Sequence, residues 1–442
     1  MGIFKDCDIR GIYGKELNAE ISYKIGLAVG TMIKGKSIVV SGDIRNSTPE
    51  LKESLVRGLL KAGAQVLDIG MNPTPVFYYA KKHLKAYAGA QVTASHNPPE
   101  YNGFKFMLGE LPVQSKDILE IQSIIEKDIF AKAAGSVKVI DGIWDSYQRQ
   151  ADHMTGEMGG RVVVDAGNGA VSELMPRMFA RKGMDVVPLF CEYDGNFPGR
   201  DPNPAVYAHL TELQKQVVAN KADFGAAFDG DGDRVVFVDD LGRVVASEQS
   251  FVILIREYLK IKPGGVVYDL KSSSIVRNEV KKLGGTPLME RSGHAFIKRT
   301  MLQKNAALAG EISGHFFFGE LGYDDGMYAA LKMGEILHKT GRKLSEIVDA
   351  IPKTLITPDI RIPVPYDKQE GILSGLRALG RKYSLSEMDG VRVEFPFGWL
   401  LVRKSVTEQA MTVRIEAEDQ QEMDEIKELL KEYAPDLAGC ME

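Results

Sequence analysis

The chain has 442 residues, of which 44% are hydrophobic and 26% charged, with 45 Gly and 19 Pro. This is ordinary globular composition, with length for about three domains of roughly 150 residues. Lys plus Arg number 55 against 60 for Asp plus Glu, a formal charge of −5, so a general nucleic-acid binder is excluded and any anionic ligand must be held by individually placed cations. Cys7, Cys191 and Cys440 are too few and too scattered for a disulfide framework or a zinc set. The sequence shows neither a membrane-length apolar run nor a signal peptide, and we expect a cytoplasmic protein without a membrane partner.

One unit recurs three times along the chain: a β-branched run ending in Asp, a loop, a helical pattern closed by Gly, and a second apolar run. The first copy starts at Ile38–Asp43, enters a helix through Ser47-Thr48-Pro49 with Leu51, Leu55 and Leu59 on one face, and returns through Val66–Ile69. After the strand-like Ala88–Val92 comes Thr93-Ala94-Ser95-His96-Asn97-Pro98-Pro99. Two prolines forbid a helix there, so a serine hydroxyl is presented on a fixed turn at the end of a strand. Ser95 is a candidate nucleophile. A Ser-His dyad with His96 is disfavoured, since neighbouring side chains on an extended turn diverge and no nucleophile elbow surrounds Ser95.

The second copy runs from Val162–Asp165 to Val186–Leu189, and behind it lies Phe228-Asp229-Gly230-Asp231-Gly232-Asp233-Arg234. Three carboxylates at alternate positions, separated by glycines, can converge on one hard cation such as Mg²⁺. An EF-hand loop requires Gly where Arg234 stands, and a flanking helix where the pattern reads as a strand. A haloacid-dehalogenase-type phosphatase, with Asp229 as nucleophile and Asp231 as acid, would have Asp233 where Thr or Val is usual, and it remains an alternative. The third copy spans Val266–Asp269 to Pro287–Met289 and is followed by Gly310-Glu311-Ile312-Ser313-Gly314-His315, a mixture of carboxylate, hydroxyl and imidazole suited to sugar hydroxyls. Beyond Pro352 the repeat is lost, and a tail with helix and alternating-strand signals carries Arg403-Lys404-Ser405-Val406-Thr407-Glu408, able to cradle a phosphate.

Taken together and in this order, these segments resemble the α-D-phosphohexomutase family, the phosphomannomutase/phosphoglucomutase type in particular. Supporting matches are Asp8-Ile9-Arg10-Gly11, Ser292-Gly293-His294 with Lys298, and Asp324-Asp325-Gly326. The resemblance covers nearly the whole chain. It implies an α/β protein of three tandem similar domains with mixed, largely parallel sheets plus a C-terminal α+β domain around a central cleft. The expected spans are 1–143 with the phosphoserine loop, 144–246 with the metal loop, 247–356 with the sugar loop and 357–442 with the phosphate loop.

The implied activity interconverts hexose 1-phosphate and hexose 6-phosphate, of mannose or glucose, through a phosphoserine and a hexose 1,6-bisphosphate. Phosphoglucosamine mutase is the alternative, against which Ile312 argues mildly. One Mg²⁺ per chain would be held by Asp229, Asp231, Asp233 and a phosphoryl oxygen on Ser95. The implied catalytic set is Ser95, Arg10, His96, Lys105, Arg234, His294 and His315. Lys271, Glu311, Ser313, Arg403, Ser405 and Thr407 would bind substrate, with Glu311 and Ser313 on the O3 and O4 hydroxyls shared by both epimers. The partner is a phosphosugar, and a monomer or small homo-oligomer fits. Three departures stand out: Cys7 replaces the usual Tyr, Val406 and Gln409 alter the phosphate loop, and Gly42 precedes Asp43 in a shifted version of the common pattern.

Overall fold

The computed structural model describes residues 2–405 and 409–438. The apolar runs ending in Asp become parallel strands buried on both faces; Val162, Val163 and Val164, for instance, are fully buried, as strands covered by helices on each side must be. Each of the three repeated units forms a parallel pair joined by a crossover helix, the connection that parallel strands consecutive in the chain require. The pairs are Ser37–Gly42 with Gln65–Met71, Arg161–Asp165 with Asp185–Leu189, and Gly265–Asp269 with Thr286–Glu290. The crossover helices are Thr48–Lys61, Leu174–Arg181 and Ser274–Lys282.

In each of the first three sheets, the strand on the other side of this pair ends in a loop that turns back as an antiparallel strand. Ala88–Val92 returns as Tyr101–Leu108, Phe224–Phe228 as Val235–Asp239, and Leu308–Gly310 as Phe316–Phe318. Ser95, the Asp229–Asp233 triplet and Glu311–His315 therefore leave their sheets from one topologically equivalent position, repeated three times. The fourth sheet is antiparallel throughout, in the order Leu355–Ile356, Ala410–Ala417, Gly398–Lys404, Val391–Phe395, Ser384–Ser386, with Ile360–Pro363 also on Ala410–Ala417. Its first strand starts at Leu355, two positions before the boundary expected from the loss of the repeat, because Leu355 and Ile356 already pair with Ala417 and Glu416.

The core divides unevenly. One continuous apolar cluster reaches from Val39 and Phe77 of the first domain through Val162 and Phe224 of the second to Phe316 and Ile351 of the third. The fourth domain buries its own cluster, Ile362 to Leu437, and a third-domain leucine meets this domain in a separate three-residue patch, Leu270, Trp399 and Leu401.

Candidate active site

The Ser95 turn is not extended, as the sequence suggested, but left-handed at the serine itself, with φ of 51°. A non-glycine residue in this region costs of order 1 kcal/mol or more and needs surroundings that impose it. Two buried groups do so. The Thr93 hydroxyl accepts the Ser95 N–H at 2.9 Å, and the Arg45 guanidinium donates to four main-chain carbonyls of the loop: Ser95 (2.8 Å), Asn97 (2.6 Å), Pro98 (2.7 Å) and Tyr101 (3.0 Å). Asp43 anchors Arg45 and takes the hydroxyls of Thr48 and Thr93, each at 2.7 Å. Because Ser95 is left-handed, the His96 ring does not diverge from it: Nδ1 lies 3.4 Å from the serine Oγ. Arg10 closes the loop's outer edge, donating to Asn97 Oδ1 at 2.5 Å and Asp8 at 2.6 Å.

The serine hydroxyl donates to Asp229 Oδ2 at 2.7 Å, a contact between the first and second domains. So close an approach depends on Gly230, where a Cβ would lie 2.6 Å from the Ser95 carbonyl oxygen, and on Gly232, whose φ is 79°. Lys105 Nζ bridges Asp231 (2.8 Å) and Asp233 (2.5 Å), and the hydroxyls of Thr74 and Thr93 reach Asp231 at 2.6 and 3.2 Å. The triplet is wholly buried. Burial, together with Asp233 and Asp231, pushes the Asp229 carboxyl well above its ordinary range.

The three carboxylates each place an oxygen within 4.8 Å of the other two; Asp231 Oδ1 has no hydrogen-bond partner among the described residues, and Asp233 Oδ1 faces His315 Nε2 at 3.5 Å. Three buried carboxylates this close together, one with an oxygen left unpartnered, fit a hard divalent cation, which takes oxygen ligands at short range. No helix follows this loop; Val235–Asp239 is a strand, so the flanking helix of an EF-hand is absent there.

Arg234 joins the second loop to the third. Its backbone pairs with His315, and Val235 N–H donates to the Gly314 carbonyl at 3.1 Å. Glu311 accepts the Gly293 N–H at 2.7 Å, while His315 Nδ1 lies 2.9 Å from Glu311 and 2.9 Å from the Ser313 hydroxyl. Burial and the Arg234 guanidinium push the His315 pKa down, but Asp233 at 3.5 Å and Glu311 outweigh both and raise it to about 9. Burial opposes ionisation of Glu311 as well, yet the His315 contact and the Gly293 N–H hold it down at about 2. His294 begins the helix His294–Lys304 and stacks on His315 with centroids 5.7 Å apart. Burial lowers its pKa to about 4, and burial followed by the charge of Arg234 keeps His96 well below the ordinary imidazole value. Behind this pair, Lys298 Nζ sits 3.5 Å from the buried Asp324.

Lys271, Arg403 and Ser405 stand apart from the cluster. Lys271 pairs across to Asp359, between the strands Leu355–Ile356 and Ile360–Pro363 of the fourth sheet, and Arg403 reaches Asp389 at 3.2 Å. The Ser405 N–H donates to the Ala410 carbonyl at 2.9 Å. Thr407, Val406 and Glu408 lie outside the described residues. At the same junction Arg392 donates to the Leu270 carbonyl, and the buried Glu416 takes Ser273 Oγ (2.7 Å), Ser274 N–H (2.8 Å) and the Trp399 indole. The sequence singles out neither Arg45, Thr74 nor Glu416, and Thr93 only as the first residue of the serine loop; the one signal for Arg45 is its place two residues after Asp43, where Gly42 shifts the common pattern.

Three family models match in order: phosphoglucomutase/phosphomannomutase alpha/beta/alpha domain I over residues 1–132, domain II over 143–242 and domain III over 246–355. The chain belongs to this family. It is 38% identical over 437 residues to a phosphomannomutase/phosphoglucomutase of Pseudomonas aeruginosa, covering 97% of this chain and 94% of the relative. It is 37% identical over 445 residues to a phosphoglucomutase of Neisseria gonorrhoeae, covering 97% and 96%. A phosphoglucomutase/phosphomannomutase family protein of Burkholderia thailandensis superposes with a TM-score of 0.91 at 34% identity, covering 98% of each chain. As a phosphoglucomutase/phosphomannomutase family member the chain is a phosphohexomutase, a phosphotransferase of carbohydrate metabolism with an acidic cluster able to hold a metal. Among the described residues no helix is long and apolar enough to cross a membrane.

Proposed function

We propose that the protein interconverts the 1- and 6-phosphates of mannose and glucose through phosphorylated Ser95. The observation that carries this reading is the 2.7 Å contact of the Ser95 hydroxyl with Asp229 inside a buried carboxylate triplet. With Asp229, Asp231, Asp233 and a Ser95 phosphoryl oxygen as ligands, Mg²⁺ would supply charge neutralisation for the phosphoryl group in transit.

Transfer breaks the bond between Ser95 Oγ and phosphorus and forms one to the sugar hydroxyl, whose proton passes to a base. The resulting hexose 1,6-bisphosphate turns over in place, and its other phosphoryl group returns to Ser95 Oγ. Lys105, Arg10 and Arg234 surround the serine loop and would stabilise the charge that spreads over the phosphoryl oxygens. Of the three imidazoles, burial holds His96 and His294 in the neutral, proton-accepting form, whereas Asp233 and Glu311 hold His315 as a cation. Glu311 and Ser313 would grip O3 and O4, and Arg403, Ser405, Thr407 and Lys271 the distal phosphate. Because O3 and O4 are equatorial in both epimers, these contacts are blind to C2 and dual specificity follows. The free thiols of Cys7 and Cys191 suit a cytoplasmic location.

Peptide mapping of the intact protein after incubation with glucose 1,6-bisphosphate tests this directly. Phosphate stable in acid and located on Ser95 is expected. An acid-labile phosphate on Asp229 would point to aspartyl chemistry instead. Ser95→Ala should lower turnover on both hexose phosphates by about 10³-fold or more, and near-normal turnover would remove Ser95 from the reaction.

A further inference from the structure

Away from the clustered loops, where the helix Thr74–His83 of the first domain meets the third domain, a cavity of about 650 Å³ opens to the surface. Four lysines line it, Lys36, Lys81, Lys82 and Lys85, against a single acid, Glu110. The groups that three of them touch are uncharged, although Lys81 also feels the charge of Glu110. Lys81 Nζ donates to the Gly109 carbonyl at 2.6 Å, Lys82 Nζ to the Leu321 carbonyl at 2.8 Å, and Lys36 Nζ lies 3.8 Å above the Tyr87 ring. Lys81 is 6% exposed, and its burial lowers its pKa. Like charges gathered around one concavity repel until an anion is placed among them.

The rest of the lining is not that of a bare anion site. Tyr87, 39% exposed, stands at the mouth beside Met107 and Leu302, and the volume falls within the range of about 300 to 1,000 Å³ that takes drug-sized ligands. A simple phosphosugar would leave the aromatic and apolar wall unused and most of the positive charge uncompensated.

We propose that this cavity binds a polyphosphorylated small molecule with a flat ring, of the nucleoside triphosphate class, at a site separate from that of the sugar, and that its occupancy alters turnover. The route to the active site is short. Tyr78 and Tyr323 also line the cavity, with ring centroids 5.6 Å apart. Lys298 Nζ lies 3.4 Å from the Tyr78 centroid and 3.5 Å from Asp324, which is 4.0 Å from His315. A molecule pressing on the tyrosine pair therefore acts on the side chains against which Lys298 and, through Asp324, His315 are packed.

The test uses the full-length protein and ATP as the probe, followed by calorimetric titration with and without excess glucose 1,6-bisphosphate. One ATP per chain is expected in both titrations. The double charge reversal K36E/K85E, both at exposed positions, should weaken ATP binding about tenfold or more while leaving turnover without ATP unchanged. E110K should tighten binding several-fold, a gain that general destabilisation would not produce. Saturating ATP should change kcat of the natural protein and leave that of K36E/K85E unmoved. Absence of heat up to millimolar ATP, equal affinity in K36E/K85E, or loss of binding in the presence of the bisphosphate would each overturn the site. Pyrophosphate binding as tightly as ATP would overturn the assignment of a ringed ligand. ATP binding with unaltered kcat would overturn the effect on turnover.

Discussion

Two ends of the site are built differently. The serine and carboxylate end is locked by buried contacts that cross the first, second and third domains: Ser95 to Asp229, Thr74 and Thr93 to Asp231, Lys105 to two carboxylates, and Arg234 paired with His315. These contacts sit on one continuous core. The end to which the proposed function assigns the distal phosphate would draw Lys271 from the third domain and Arg403 from a fourth domain with its own core, and each is held by a partly exposed ion pair, to Asp359 and Asp389 respectively. Buried, multiply satisfied networks fix geometry, whereas a partly exposed pair contributes little and is readily exchanged for another anion. A mutase that must accept one sugar in two opposite orientations needs both kinds of end. On the proposed mechanism the phosphoryl group would be met at a fixed point, and the far phosphate wherever it arrives.

The sharpest way to break this comparison is at Arg45. Arg45→Lys keeps the charge but cannot reach four carbonyls in a planar fork. We expect kcat to fall about hundredfold with KM little changed, since a misplacement of about 1 Å at the reacting group costs that much. Near-normal kcat would show that the turn at Ser95 holds itself. The locked end should also carry a pH signature that the distal end lacks. Asp325 caps the helix Gly326–Thr340 by accepting the Tyr328 N–H at 2.8 Å and takes the Tyr147 hydroxyl of the second domain at 2.8 Å; burial lifts its pKa from 3.8 to about 7.

Between those two values the folded state holds a proton that the unfolded chain has released. The stability contribution is therefore complete below about pH 4 and drains away as pH rises towards 7, at no more than about 1.4 kcal/mol per unit. Denaturant midpoints of Asp325→Asn and the natural protein, compared from pH 5 to 7.5, should diverge in favour of the variant as pH rises. Parallel curves would mean that the carboxyl titrates normally. Glu311→Gln should cost about 10- to 100-fold in kcat by releasing the proton from His315, equally for mannose and glucose phosphates. A loss confined to one epimer would contradict contacts blind to C2. The smallest effect belongs to the exchangeable end: Asp359→Asn should free Lys271 and lower KM about two- to fivefold with kcat held, and a raised KM would show that Asp359 positions the lysine rather than competing for it.

The sheets were legible because runs such as Val162-Val163-Val164 admit few readings other than a doubly covered strand, and the Asp triplet because three close carboxylates have little reason to coexist without a cation. Ser95 could be singled out from two prolines after a strand. Its left-handed turn could not, because the groups imposing it are a threonine two positions earlier and an arginine fifty positions away whose partners are main-chain carbonyls. Such partners have no residue identity and leave no mark in a sequence. The same blindness misread His96, whose proximity to the serine depends on one φ angle. It also hid half of what Glu311 does. A carboxylate in a sugar-type loop reads as a ligand for hydroxyls, yet this one is already engaged by the Gly293 N–H and His315.

A small apolar patch, Leu270, Trp399 and Leu401 with Met289 and Ile356 against it, lies between the third and fourth domains and is separate from both of their cores. Beside it, the contacts of Arg392 with the Leu270 carbonyl and of Glu416 with Ser273 and Ser274 join the fourth domain to the third, and none of them involves the loop around residue 95. On the proposed mechanism, the pocket that would hold phosphorylated Ser95 between turnovers would then be kept by one cooperative unit and the far end of the sugar handled by another.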